Sequence, residues 1–316
     1  MFFFVLESTD TECCLLTPLS FIPTLIQILF FTMPFLATTH DHASSVDLYY
    51  LDSGPRAAQT TVVLIHGWPL SHRMWEGNVA PLLEAGHRVL RYDRRGFGVS
   101  GYSWDGHDYD TLTTDLHDLL TGLEIDNAVL VGFSMGGGEV ARYVENYGLD
   151  RIQKVAFVSS VAPYLLQTDE NPDGVPDKVF REMETDVQAD RLHFLKGFGE
   201  KFVNYEDHGP DGSEKISAAT LEYLWQIAAF ASPRATLAQI NAFARTDLRS
   251  GVGKITCPTL VVHGGADQTV PLEASGERVA EMVLTSRLEI LENAPHGLTI
   301  THRKQFNQLL LDFLAE

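Results

Sequence analysis

Apolar residues in this chain fall into short continuous runs and into spaced sets, and the two kinds alternate. Residues 62–65 are wholly apolar, the pattern of a strand buried on both faces. Residues 128–131, 155–159 and 259–262 read the same way, and residues 87–92 and 287–291 add two strands of more mixed pattern. Between these runs the period lengthens to that of a helix. From Asp108 onward, Leu112, Leu116, Leu119, Leu120 and Leu123 fall on one face, and Asp108 or Asp110 can cap the first turn. Further helices are predicted from residue 135 to Tyr147, over residues 272–283 and over residues 298–314. Strands that alternate with helices from Val46 onward predict βαβ units, a mainly parallel sheet and an α/β fold class.

Residues 163–251 break this rhythm. They open on the turn-rich Asn171-Pro172-Asp173-Gly174 and continue in helical runs, one of which carries Leu221, Leu224, Trp225 and Ala228 on one face. The segment reads as a helical cap inserted into the sheet domain. No internal repeat or low-complexity tract is visible.

The first 40 residues read differently again. Residues 13–37 are mostly apolar, but Pro18, Pro23 and Pro34 interrupt them, whereas a spanning helix needs about 20 apolar residues in a row. No Lys or Arg precedes Arg56, so the basic region of a secretory signal is missing. Residues 1–40 are therefore expected to be an extension outside the fold. Met33 is a natural start for the domain, which is expected over residues 41–316. Any membrane contact would be a weak association of the extension.

Composition narrows the partners. A formal net charge of −19 repels phosphate backbones and anionic lipid, so nucleic acid is not expected. The 3 Cys form no disulfide framework and no zinc spacing, which fits a reducing, cytoplasmic setting. His40 and His42 stand alone, no H-E-x-x-H occurs, and neither a Walker loop nor G-x-G-x-x-G is present. No metal and no cofactor are expected.

The chemistry gathers at three residues. Ser134 sits at the centre of Gly132-Phe133-Ser134-Met135-Gly136, a G-x-S-x-G turn between a buried strand and a helix. A neutral serine hydroxyl needs a base within hydrogen-bond reach, and the base needs an orienting acid. Asp267 and His296 each lie just past a strand, where catalytic groups gather in α/β sheets, and they follow Ser134 in the order Ser, Asp, His. His263 and His66 read as structural histidines of their loops, and His72, His107, His193, His208 and His302 as solvated ones. An oxyanion hole would take one backbone N–H from Met135 and another from Trp68, since Pro69 has none to give. Trp68, Phe133 and Trp225 are the candidates for the substrate pocket wall.

The segments HGWPLS (66–71), YDRRGFGVS (92–100), VGFSMGGGEVARYV (131–144), NPDG (171–174), VVHGGADQTVP (261–271) and NAPHG (293–297) make the chain similar to the cofactor-free haloperoxidase and arylesterase branch of the α/β-hydrolases. The resemblance runs from Val46 to the C-terminus, is dense in the core and thins in the cap after Asp190. It implies an eight-stranded sheet flanked by helices, a Ser-Asp-His triad, no metal or flavin, and cleavage of small carboxylic esters. It also implies perhydrolysis, in which peroxide replaces water on the acyl-enzyme. Related enzymes with an Asp at the elbow, the haloalkane dehalogenases and epoxide hydrolases, are disfavoured by Ser134. A lactonase, a thioesterase or a natural-product pathway hydrolase would keep the same triad. A non-catalytic ligand receptor on the same scaffold is the reading from another class, and the intact Ser134, Asp267 and His296 speak against it. The expected partner is a small-molecule ester or acyl donor, and a homo-oligomer is compatible with all of these readings.

Overall fold

The computed structural model describes residues 34–206 and 216–316 of the chain. Among these, eight strands form one sheet in the order β1-β2-β4-β3-β5-β6-β7-β8. They are β1 (Phe35–Ala37), β2 (Asp47–Ser53), β3 (Thr61–Ile65), β4 (Arg88–Tyr92), β5 (Ala128–Phe133), β6 (Ile152–Val158), β7 (Thr259–Gly264) and β8 (Ser286–Leu291). Strand β1 pairs antiparallel with β2, and β2 antiparallel with β4. Every pair from β4 through β3, β5, β6 and β7 to β8 is parallel. The apolar runs form the middle of the sheet because it is covered on both sides. Every residue of β3, β5 and β7 is buried.

The crossovers are helical: α1 (Glu76–Glu84), α2 (Tyr109–Gly122) and α3 (Met135–Tyr147). Asp108 caps α2 by accepting from the Thr111 N–H at 2.9 Å, and Leu112, Leu116, Leu119 and Leu120 turn inward. The insertion between β6 and β7 holds α4 (Asp177–Phe202), α5 (Ala218–Ala229), α6 (Pro233–Arg245) and the short α7 (Arg249–Gly253). Helix α4 is two helices joined at Asp190, whose backbone is non-helical and whose carboxylate accepts from the His193 N–H at 3.0 Å. The final helices are α8 (Gly276–Met282), α9 (Leu298–Thr301) and α10 (Arg303–Ala315). The helix expected over 272–283 thus starts four residues late, and the one expected over 298–314 breaks at His302. Among the described residues no helix is long and apolar enough to cross a membrane.

The expected boundary after residue 40 is corrected. Residues 1–33 of that extension lie outside the described residues, but residues 34–40 belong to the compact unit Pro34–Glu316. Strand β1 extends the sheet, and the polar residues behind it are fastened to α2. The Thr39 N–H donates to Asp118 at 2.8 Å, and His40 lies 2.7 Å from Asp115. A three-residue strand shows no alternation, and Thr-Thr-His-Asp reads as a solvated linker when its carboxylate partners are about 75 positions away.

Candidate active site

Parallel strands bring the three candidate residues to one edge of the sheet. Ser134 follows β5, Asp267 follows β7 and His296 follows β8, all at carboxyl ends. Ser134 stands between β5 and α3 with φ 53° and ψ −118°, a left-handed conformation that costs a non-glycine residue roughly 1–3 kcal/mol. The strand enters and the helix leaves too tightly for bulk around it. A Cβ on Gly136 would lie 2.6 Å from the Ile65 carbonyl oxygen, so the first turn of α3 needs glycine to seat against β3.

The side chains form a hydrogen-bonded chain. Ser134 Oγ is 3.0 Å from His296 Nε2, and His296 Nδ1 is 2.7 Å from Asp267 Oδ2. The other carboxylate oxygen accepts the N–H groups of Thr269 at 2.8 Å and Val270 at 2.9 Å. Burial works most strongly against the charge on Asp267. The facing His296 imidazole and the hydrogen bonds from His263 and His296 overcome it, and its carboxyl is held well below the ordinary range. An ionised Asp267 accepts only, which fixes the proton on His296 Nδ1 and turns the Nε2 lone pair to the serine hydroxyl. A hydroxyl so placed can give up its proton as its oxygen attacks.

Phe202 and Asn204, which sequence reasoning missed, fasten the loops of this histidine and of Asp267, and Phe133 packs beside them. The Phe202 carbonyl accepts the Gly297 N–H at 2.7 Å, and the rings of Phe202 and Phe133 flank the imidazole at 5.2 and 5.1 Å. Asn204 donates to the Ala266 carbonyl at 2.8 Å, beside Asp267. The end of α4 therefore fastens both loops. No local sequence signal marks these contacts, since their partners come from other strands.

Trp68 has two parts to play. Its indole donates to the Thr236 carbonyl at 3.0 Å and its ring packs on Phe198 and Phe243 of the cap, at 5.2 and 5.5 Å. Its backbone passes beside the serine: a Cβ on the preceding Gly67 would lie 3.1 Å from Ser134 Cβ. Met135 opens α3, so its N–H has no partner within the helix.

Ser134 lies at the floor of a cavity of about 660 Å³ walled by Trp68, Val161, Leu165, Phe198, Phe243 and Val270. Glu182, Asp186 and Asp190 line it further along α4. Two expected wall residues are elsewhere. Phe133 is fully buried, with its ring between Trp75, Phe202 and His296, because residues either side of Ser134 at the turn point in different directions. Trp225 donates its indole N–H to the Leu192 carbonyl on the far side of α4, since the inward face of α5 is Leu224, Ile227 and Ala228. Among the histidines expected to be solvated, His72 and His107 are buried instead. His72 is 2.7 Å from Asp93, a partner 21 residues on. His208 lies outside the described residues. His263 is structural, with Nε2 3.1 Å from the Val270 carbonyl oxygen. Among the described residues no group of three or more His, Cys, Asp or Glu is arranged to hold a metal ion.

The family model described as "alpha/beta hydrolase fold" matches residues 60–302. A putative non-heme chloroperoxidase of Synechocystis sp. is 42% identical over 282 residues, 89% of this chain and 100% of that protein. A bifunctional esterase/perhydrolase of Acinetobacter calcoaceticus is 36% identical over 88% of this chain and 98% of its own length. Among solved structures, a bromoperoxidase from Bacillus anthracis superposes with a TM-score of 0.83 at 46% identity, covering 89% of this chain and 100% of that one. The chain therefore belongs to the α/β-hydrolase family, an enzyme on the branch that holds the non-heme haloperoxidases and the esterase/perhydrolase.

Proposed function

We propose that this enzyme is a serine hydrolase that cleaves carboxylic esters through an acyl-serine. The observation that carries the reading is the unbroken chain from Ser134 through His296 to Asp267 at the floor of an apolar cavity. Ser134 Oγ attacks the ester carbonyl and His296 takes its proton. Asp267 holds the imidazole in the required tautomer and stabilises the imidazolium. The N–H groups of Met135 and Trp68 receive the oxygen that becomes negative, a contribution worth about 2.7–4 kcal/mol per donor in other hydrolases. His296 returns the proton to the leaving alcohol, and water, activated by the same imidazole, releases the acid. The likeness to a named esterase/perhydrolase supports a second co-substrate: hydrogen peroxide in place of water would release a peracid.

The partner is a small-molecule ester or acyl donor. A volume of about 660 Å³ falls in the range of roughly 300–1,000 Å³ typical of sites for drug-sized ligands. That favours a substrate larger than an acetyl ester, as a pathway hydrolase would meet. A p-nitrophenyl ester series of increasing acyl length, read by rate and by mass spectrometry of the acylated protein, tests both points. The adduct should sit on Ser134 and vanish in Ser134→Ala, and kcat/KM should rise beyond acetate. Full turnover in Ser134→Ala would overturn the acyl-serine.

A further inference from the structure

Next to the proposed machinery lies a second buried network that the reaction does not use directly. Its centre is Arg94, at the end of β4. The Arg94 guanidinium donates from Nε to Glu139 Oε1 at 2.6 Å and from Nη2 to the His66 carbonyl at 2.7 Å. Its backbone N–H donates to His66 Nε2 at 3.0 Å. Glu139 stands on α3, five residues after Ser134, and also accepts the Tyr92 hydroxyl at 2.7 Å. Arg94, Glu139 and His66 are buried to within 1%.

The geometry of His66 fixes a peptide. A backbone N–H can only donate, so His66 Nε2 must be bare and its proton must lie on Nδ1. Burial first, and Arg94 second, keep the ring neutral by pushing it down to about 3. Nδ1–H then donates to the Gly67 carbonyl at 2.9 Å, which also accepts the Leu70 N–H at 3.0 Å. In a trans peptide the carbonyl and the following N–H point in opposite directions. With the Gly67 carbonyl held on the His66 side, the Trp68 N–H is turned away from it, in the loop that passes beside Ser134.

We propose that Arg94 is a positioning residue: through His66 it sets the direction of the Trp68 N–H, and through Glu139 it locks that loop to the helix that starts at the nucleophile. The inference rests on the acyl-serine reading. A buried ion pair is a weak source of stability, because desolvation offsets most of its attraction. What this pair supplies is registry between two elements, β3's loop and α3, that carry opposite halves of one oxyanion site.

The test uses Arg94→Lys, His66→Gln, their double variant and His66→Asn in the full chain. Lys keeps the charge but loses the fork. Gln keeps an acceptor near the Nε2 position and loses the donor to Gly67, whereas Asn keeps a donor near Nδ1. Rates are normalised to sites labelled to completion by a fluorophosphonate, so unfolded protein does not count. Arg94→Lys and His66→Gln should each lower kcat by about 10²-fold, the loss that a displaced oxyanion donor produces, with KM unchanged. His66→Asn should recover most of the rate. The double variant should be no slower than the slower single one, since both act on the same peptide. Affinity for an alkyl boronic acid, which forms a tetrahedral adduct on serine, should fall in parallel with kcat. Unchanged kcat per labelled site, additive losses, or intact boronate affinity beside a lowered kcat would each overturn the proposal. If Arg94→Lys does not fold, His66→Gln and its rescue by His66→Asn decide the matter. A wild type that takes no label at Ser134 overturns the acyl-serine reading and this inference with it. Labelled wild type with unaffected variants overturns this inference alone.

Discussion

Acid should weaken this fold through a buried histidine outside the cavity lining. The His66 ring is pushed down to about 3, first by burial and then by Arg94. In the unfolded chain it titrates near 6.5. Between those two values the unfolded state holds more protons than the native state. The stability His66 contributes is therefore fully present above about pH 6.5 and drains away as the pH falls towards about 3. Each pH unit inside that window costs about 1.36 kcal/mol, so going from pH 6.5 to pH 5 removes about 2 kcal/mol. A domain of this size loses about 2–4 °C in Tm per kcal/mol, which makes the shift about 4–8 °C. His87, His107 and His117 are lowered by burial too and add to the slope. The comparison that isolates His66 is His66→Asn, which keeps a donor for Gly67 but cannot titrate. Urea melts of both proteins between pH 7 and pH 5 supply the measurement. The variant should start lower at pH 7 and lose about 2 kcal/mol less on acidification. Parallel slopes would show that His66 carries no such shift.

Asp267→Asn should cut kcat by about 10⁴-fold, as the same change does in a well-studied serine protease, while Tm falls by only a few degrees; near-normal turnover would move the orienting acid elsewhere. A chain starting at Met33 should match the full chain in Tm and esterase rate, whereas one starting at Asp41 loses β1 and the His40 contact with Asp115 and should melt well below it. With acetate, hydrogen peroxide and bromide, the enzyme should brominate a phenolic dye. On the proposed route the acyl group on Ser134 would pass to peroxide as a peracid, which would oxidise bromide to hypobromous acid in solution and return acetate. Ser134→Ala should abolish bromination and ester hydrolysis together and a chelator neither, and bromination surviving in Ser134→Ala would refute that route.

What the sequence made legible follows from which forces are local. Strands β3, β5 and β7 announce themselves because burial on both faces demands unbroken apolar runs. Helix α2 is legible in its leucine spacing and its Asp108 cap. The elbow is legible because a strained turn admits few residue types around Ser134. Less legible is anything decided between distant segments. The contacts of Phe202 and Asn204 with the loops after β7 and β8 depend on partners 60 or more positions away. Helical spacing on α5 names an apolar face but cannot say that Trp225 turns to Leu192 and leaves the cavity. Arg94 and Glu139 look like surface charges until folding brings β4 and α3 together.

The φ of Ser134 has a consequence for how the protein tolerates change. On the acyl-serine reading, the residue best for the reaction at that position is not the best for the fold. Glycine would adopt φ 53° without a Cβ penalty, so Ser134→Gly should be more stable than Ser134→Ala by about 1 kcal/mol, although neither offers an oxygen. By folding glycine would rank above serine there, and by turnover serine above glycine. Selection for thermal survival alone would favour glycine at this position. A conflict of that kind at one buried residue is a mark of chemistry that can be read from stability measurements before any substrate is known.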